Sequence, residues 1–319
     1  MASRYRPSLA TLALLGIALV WGLSFVLVQD GVRRMAPLDF LAWRFVPAAA
    51  IVALLFLGPL RELPPAGWRC GARLGLLLAA VFMLQAFALA RTSVSNAGFI
   101  TGLYVAFTPL LIRWWWREHV PALVWIGAGA ATLGLVLLTG IGRQPGVGDG
   151  LVLLSALALA IYILATDRAV KHFSAPALSA SQLLVCAAIC LVAAALVEDL
   201  TVPSHASAWT AIAVTAVVAT AFGIAVQAWA QQHVPPARVA VILSCEPAFG
   251  GLSGVALAGD SLPAAAWGGA ALICLSVLAV EGGTLARGWL RRRRRHPQPT
   301  WSTPPPGDHH HRRPAGARR

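Results

Sequence analysis

Apolar stretches of about 20 residues, nearly free of charge, recur along the whole chain and limit its folds more than any other feature. "LATLALLGIALVWGLSFVLV" opens the series and "AAAWGGAALICLSVLAV" closes it. About 20 helical residues cross a hydrocarbon layer, and each backbone N–H and C=O inside it must be satisfied within the structure itself. Segments this long select helices over the shorter strands of a barrel. Only 12% of the 319 residues are charged, against roughly 25% in soluble domains. Mean hydropathy is +0.72. Such a chain cannot cover itself with a water-compatible surface, so an all-α membrane protein is expected.

Ten segments are predicted, at about 8–29, 37–58, 72–90, 94–116, 121–140, 150–170, 176–197, 209–230, 235–258 and 263–282. Pro37, Pro121, Pro176 and Pro263 stand at or just before helix starts, where a missing N–H costs nothing. The first run is too long for a signal h-region and has no clear small-residue cleavage site, so it reads as a retained span.

An internal repeat organises these spans. "QAFALARTSVSNAGFITGLYVAFTP" (Gln85 to Pro109) resembles "QAWAQQHVPPARVAVILSCEP" (Gln227 to Pro247). Each has Gln-Ala-aromatic-Ala, a polar turn and an apolar helix reaching a proline. A polar turn and a Gly/Ala-rich span follow in both. The expected domains are a first five-helix repeat at 8–140, a second at 150–282, and a basic, disordered cytoplasmic tail at 283–319. Two tandem copies of a five-helix unit insert in opposite orientations. That inverted-repeat architecture is typical of secondary transporters with a site between the halves.

Charge sets the expected orientation. With the N-terminus inside, inward loops hold Arg4, Arg6, Arg61, Arg69, Arg73, Arg113, Arg117, Arg168, Lys171 and Arg238, ten against the outward four, Arg33, Arg34, Arg91 and Arg143. Both termini are therefore expected in the cytoplasm. The net charge of +13 is concentrated in the tail around Arg291–Arg295, which suits anionic lipid rather than nucleic acid. Low lysine with abundant Ala, Arg and Gly suggests a high-GC bacterial genome and a plasma (inner) membrane location. Five cysteines, without a CxxC pair, offer neither a disulfide framework nor a metal site.

"LVWGLSFVLVQDG", "PLDFLAWRFVPAAAI", "ALARTSVSNAGFITGLYVAFTPLL" and "VILSCEPAFGGLSGVALAGDSLPAAAWGGAALI" resemble the drug/metabolite transporter superfamily, in particular its EamA-type exporters. The resemblance spans about residues 8–282. It implies ten helices in two inverted halves around a central cavity, and no ATPase domain. Two places depart from the pattern: Gly259-Asp260 replaces Gly-Glu after the ninth span, and Arg117-Glu118 follows the fourth without the glycine.

Within the spans Glu246 stands out, because a carboxyl group at a helix centre costs roughly 2.5–3.5 kcal/mol on insertion scales. Two roles are open to it. It satisfies the backbone of a helix kinked by Pro247, as Thr108 would beside Pro109, or it lines the cavity and binds a cationic group or a coupling proton. Arg44 either snorkels or pairs with Asp39, or anchors a substrate carboxylate or phosphate. Gln85 and Gln227 sit at repeat-related places as cavity lining or helix–helix glue. Trp21, Tyr104, Tyr162 and Trp229 offer an aromatic wall, with packing or interfacial roles as the alternative.

Other functions fit less well. "GLSG" at Gly251–Gly254 resembles a rhomboid intramembrane serine protease, yet no histidine shares the depth of Ser253. A non-transporting scaffold or receptor would not need matched polar residues in both halves. The expectation is a secondary transporter, an exporter of small amphiphilic or amino-acid-like metabolites or drugs, working by alternating access without enzymatic activity. Its partners would be a small-molecule substrate and protons as coupling ion, with no cofactor or metal.

Overall fold

A computed structural model describes residues 6–295 apart from 90, 92–93, 140–145, 254 and 256–262. The described residues are helical and contain no strand. The elements are α1 (Arg6–Arg34), α2 (Pro37–Leu55), α3 (Leu57–Arg61), α4 (Pro65–Leu89), α5 (Val94–Gly102), α6 (Tyr104–Trp115), α7 (Ala122–Thr139), α8 (Val147–Ala169) and α9 (Ala175–Val197). There follow α10 (Ala206–Val214), a π-helical segment Thr215–Phe222, α11 (Gly223–Gln231), α12 (Pro236–Leu243), α13 (Glu246–Ser253) and α14 (Ala264–Arg295). Among the described residues, six helical stretches are long and apolar enough to cross a membrane, namely α1, α2, α4, α8, α9 and the run α10–α11. Ala122–Leu137 and Ala264–Val280 are shorter apolar helices.

Two expected spans are interrupted, and one break has a clear cause. Pro247 cannot donate to the Leu243 carbonyl, and its ring clashes there; α12 ends at that residue. The Ser244 N–H reaches back to Ala240 O, but the Cys245 N–H bonds Ile242 O at 3.2 Å, a tighter register, and α13 restarts at Glu246. Pro247 therefore begins a new helix where the sequence suggested a kink within one. In the other repeat Pro109 lies inside α6, and the break falls earlier, at Leu103. There Gly102, a poor helix former, lies so close to Leu135 that a Cβ would stand 2.7 Å from it.

Packing follows small residues. Without a hydrophobic drive between lipid-embedded helices, close backbone approach and dispersion hold them together. Gly71 and Gly75 of α4 meet Ser181, Gln182 and Val185 of α9, and Gly22 of α1 meets the α13 backbone. One core joins α2, α4, α9 and α11; a second joins α1, α6, α7, α12 and α14. Large apolar side chains such as Leu54, Leu196 and Val192 point outward, as a lipid-facing surface requires.

At one end of the bundle a long-range clasp fixes α2. Glu198 Oε2 accepts the N–H groups of Leu38 and Asp39 at 2.8 and 3.1 Å, capping the helix from 160 residues away. Asp39 Oδ2 in turn accepts the Thr201 N–H and hydroxyl at 2.9 and 2.6 Å. The Trp43 and Trp209 rings meet edge-on at 5.3 Å beside it.

The region from 282 onward forms a separate unit. The tail expected to be unstructured from 283 is helical through Arg295, consistent with its run of helix-forming Leu and Arg; residues 296–319 lie outside the described residues.

Candidate functional site

The cavity takes its walls from α1, α2, α4, α5, α8, α11 and α13, and has a volume of about 80 Å³. Apolar groups such as Val28, Leu78 and Ile224 cover most of it; Ser24, Arg44, Gln85, Thr101, Tyr162, Gln227 and Glu246 supply the polar atoms.

Arg44 sits about two turns into α2 and is 4% exposed. Its Nε donates to Thr220 Oγ1 at 2.7 Å, and its guanidinium lies 4.9 and 5.5 Å from the Phe82 and Phe45 ring centres. The pairing with Asp39 suggested by sequence is not formed; that carboxylate accepts from Thr201 through Oδ2 instead. Snorkelling is not seen either: the side chain is buried against α4 and the π segment. Among the described residues Arg44 has no ion-pair partner within 4.0 Å, and neither terminal nitrogen is hydrogen-bonded. A buried cation whose direct contacts are ring faces and one hydroxyl is costly, and an anion entering the cavity would offset that cost.

The π segment builds this wall. Its first residue, Thr215, donates its hydroxyl back to Ala211 O at 2.6 Å, a contact that loosens the helix. At the far end the Gly223 N–H bonds Val218 O and Thr220 O, passing over Ala219 O. That freed carbonyl accepts Trp21 Nε1–H at 2.7 Å. Gly223 lets the indole lie close, since a Cβ there would stand 2.8 Å from Trp21 Nε1.

Glu246 enters from the first turn of α13. It is half-buried, and no hydrogen bond or ion pair involves its carboxyl group among the described residues. The carboxyl therefore does not satisfy the interrupted backbone; Ser244 Oγ does part of that work, donating to Val241 O at 2.6 Å. Gln227 is 1% exposed, and neither its Nε2 nor its Oε1 has a partner. Tyr162 donates its hydroxyl to Gln182 Oε1 at 3.1 Å.

The structure thus brings Trp21, Arg44, Gln85, Tyr162, Gln227 and Glu246 to one cavity. Three other candidates lie elsewhere. Thr108 is fully buried and donates to Tyr104 O at 2.7 Å, serving the helix that contains Pro109. Tyr104 is buried behind the wall, its hydroxyl without a partner. Trp229 faces an apolar groove on the outside of the bundle with Leu9, Gly16 and Phe222, and packs on His233 at 5.1 Å. Ser24, Thr101 and Thr220 were not anticipated; a hydroxyl in an apolar helix is their only signal. Ser253 ends α13, and its side chain lies outside the described residues. No cluster of three or more His, Cys, Asp or Glu suited to a metal ion exists among the described residues.

Comparison with known proteins gives a consistent result. An uncharacterized transporter of Archaeoglobus fulgidus is 28% identical over 277 residues, 85% of each chain. The inner membrane transporter YedA of Escherichia coli is 24% identical over 278 residues, 85% of this chain and 90% of that one. YcxC of Bacillus subtilis, also named a transporter, is 29% identical over 191 residues, 53% of this chain and 57% of that one. A solved crystal structure 20% identical in sequence superposes with a TM-score of 0.73, covering 88% of this chain and 99% of the other, and shares the fold. The EamA-like transporter family model matches residues 8–140 and again 146–281. The chain is a multi-pass membrane protein and belongs to the EamA-like transporter family.

Proposed function

We propose that the protein is a secondary exporter of small amphiphilic metabolites or drugs, including amino-acid-like solutes, working by alternating access of two inverted halves. One observation carries this reading. Arg44, from the first matched segment, and Glu246, from the second, face one cavity without pairing with each other or with any other charged group among the described residues. A solute bearing an anionic and a cationic group satisfies both, and either charge alone satisfies one. Trp21 and Tyr162 cover its apolar part.

Ten crossings result if α5–α6 and α12–α13 are each one interrupted span alongside the six long helices and the two shorter ones. The packing supports two related halves: α4 lies on α8 as α11 lies on α1, while α2 pairs with α9 across the centre. The expected orientation puts both termini in the cytoplasm of a plasma (inner) membrane, the location named for YedA. The basic tail then lies against anionic lipid.

Glu246 provides the coupling. A carboxyl group that holds either a proton or the cationic end of the solute cannot hold both, so inward proton movement drives outward solute movement.

A thermal-shift screen of purified protein against amino acids, nucleosides, organic acids and cationic drugs tests the reading, repeated with Arg44→Met and Glu246→Gln. A ligand at 100 times its dissociation constant raises stability by about 2.7 kcal/mol. Hits lost in both variants support the site. Hits retained in both, or transport by Glu246→Gln still driven by a pH gradient, would overturn it.

A further inference from the structure

We propose that a column of bound water between α8, α9 and α11 links the cavity to the end of the bundle bearing Asp167 and His233, and carries the Glu246 proton. The inference rests on the proton-carrier reading above and assigns its route.

Seven buried side-chain nitrogen or oxygen atoms among the described residues have no hydrogen-bond partner, and five lie here: Thr166 Oγ1, Gln182 Nε2, Gln227 Nε2 and Oε1, and Gln231 Oε1. All four residues are at most 2% exposed. Native folds leave few such atoms unsatisfied, and a cluster of them marks a place for ordered water. A buried water typically makes about three hydrogen bonds, so about two waters would satisfy the five atoms.

Two hydrogen bonds tie α8 to its neighbours at this level. Tyr162 of α8 donates to Gln182 Oε1 of α9 at 3.1 Å, and Gln231 Nε2 of α11 donates to Ile163 O of α8 at 2.8 Å. Thr166 lies one helical turn beyond Tyr162, and Gln231 one turn beyond Gln227, so each pair shares a helix face. At the upper end Tyr162 and Gln227 line the same cavity as Glu246. At the lower end Gln232 Nε2 donates to Val170 O at 3.5 Å, which keeps the ends of α11 and α8 together.

The charged groups at that lower end are engaged with partners of their own. Asp167 is held by Lys171 at 2.6 Å, and Arg168 stacks over Trp116, 4.0 Å from Glu118. His233 Nδ1 lies 3.1 Å from Trp229 O. Amides and hydroxyls do not ionise along the way. Each water gains one O–H bond as it gives up another, so the net change is one carboxyl becoming carboxylate and one proton reaching bulk water.

Hydrogen–deuterium exchange of the Glu246 carboxyl group, followed by infrared difference spectroscopy on the 319-residue chain in lipid, tests the route. Glu246→Gln assigns the band. The double variant Thr166→Val with Gln231→Leu removes polar atoms of the column and is expected to slow exchange about tenfold, the effect of losing roughly one water-mediated bond. Thr166→Ser, which keeps the hydroxyl, exchanges at the native rate. Gln182→Leu replaces the double variant if gel filtration shows that the latter does not fold. Unchanged exchange would mean that the cavity mouth serves Glu246, and the column would be wrong. Absence of any protonated-carboxyl band removed by Glu246→Gln would instead sink the carrier reading on which the column rests.

Discussion

Gly22→Ala should destabilise the protein where the two matched segments meet. An added Cβ would stand 2.7 Å from the Glu246 carbonyl oxygen and from Phe249 Cβ, and 2.8 Å from the Gly250 nitrogen. Ordinary contacts between carbon atoms begin near 3.5 Å, so α1 and α13 must separate by roughly 0.8 Å. Two of the obstructing atoms are backbone, which no rotamer change relieves. Overpacking of this kind costs about 1–3 kcal/mol. Gly16→Ala is the matched control, because it lies on the same helix with nothing within 4 Å of its added Cβ. Both variants gain the same helix propensity, about 1 kcal/mol. Their difference therefore isolates the contact. Thermal unfolding in detergent, followed by loss of the monodisperse gel-filtration peak, should place Gly16→Ala at or above the native protein and Gly22→Ala several degrees below Gly16→Ala. Equal midpoints would show that the contact is not as close as described.

Three further outcomes are expected. Arg117 holds a left-handed backbone at φ 54° just after α6, so Arg117→Gly should raise stability by about 1 kcal/mol in the same assay. Trp21→Phe removes the donor to Ala219 O and should cost about 1–3 kcal/mol, whereas an equal midpoint would show the freed carbonyl has another partner. In a cysteine-free background, an impermeant thiol reagent should label Gly146→Cys from outside intact cells but not His172→Cys, both exposed positions; the reverse pattern overturns the orientation.

Much of the membrane architecture is legible from the spacing of apolar runs, because a bilayer imposes a length on every crossing. Glu246 and Arg44 stand out in sequence because charge is expensive in an apolar span, and Gln85 and Gln227 because the repeat aligns them. The partners of these groups are less accessible. Asp39 is five residues from Arg44 in the chain, yet it binds Thr201, 162 positions away, while Arg44 binds Thr220, 176 away. Nothing local signals either contact. The interruption before Glu246 is implicit in Pro247, but the one at Leu103 does not follow from Pro109, six residues later. Thr108 draws attention because the repeat sets it at the place of Glu246, and Tyr104 because its ring suits an aromatic wall; burial against neighbours decides their direction.

The π segment also sets the rotational phase of everything that follows it. An α-helix turns about 100° per residue, and each wide turn accommodates roughly one surplus residue. Winding Thr215–Phe222 as regular α-helix with no residue removed would rotate Gln227 and Gln231 by about a quarter of a circle relative to Thr215, whereas deleting the surplus residue would leave their phase unchanged. The wide turns thus act as an angular offset that cancels the surplus residue, and the inward aim of both glutamines depends on them.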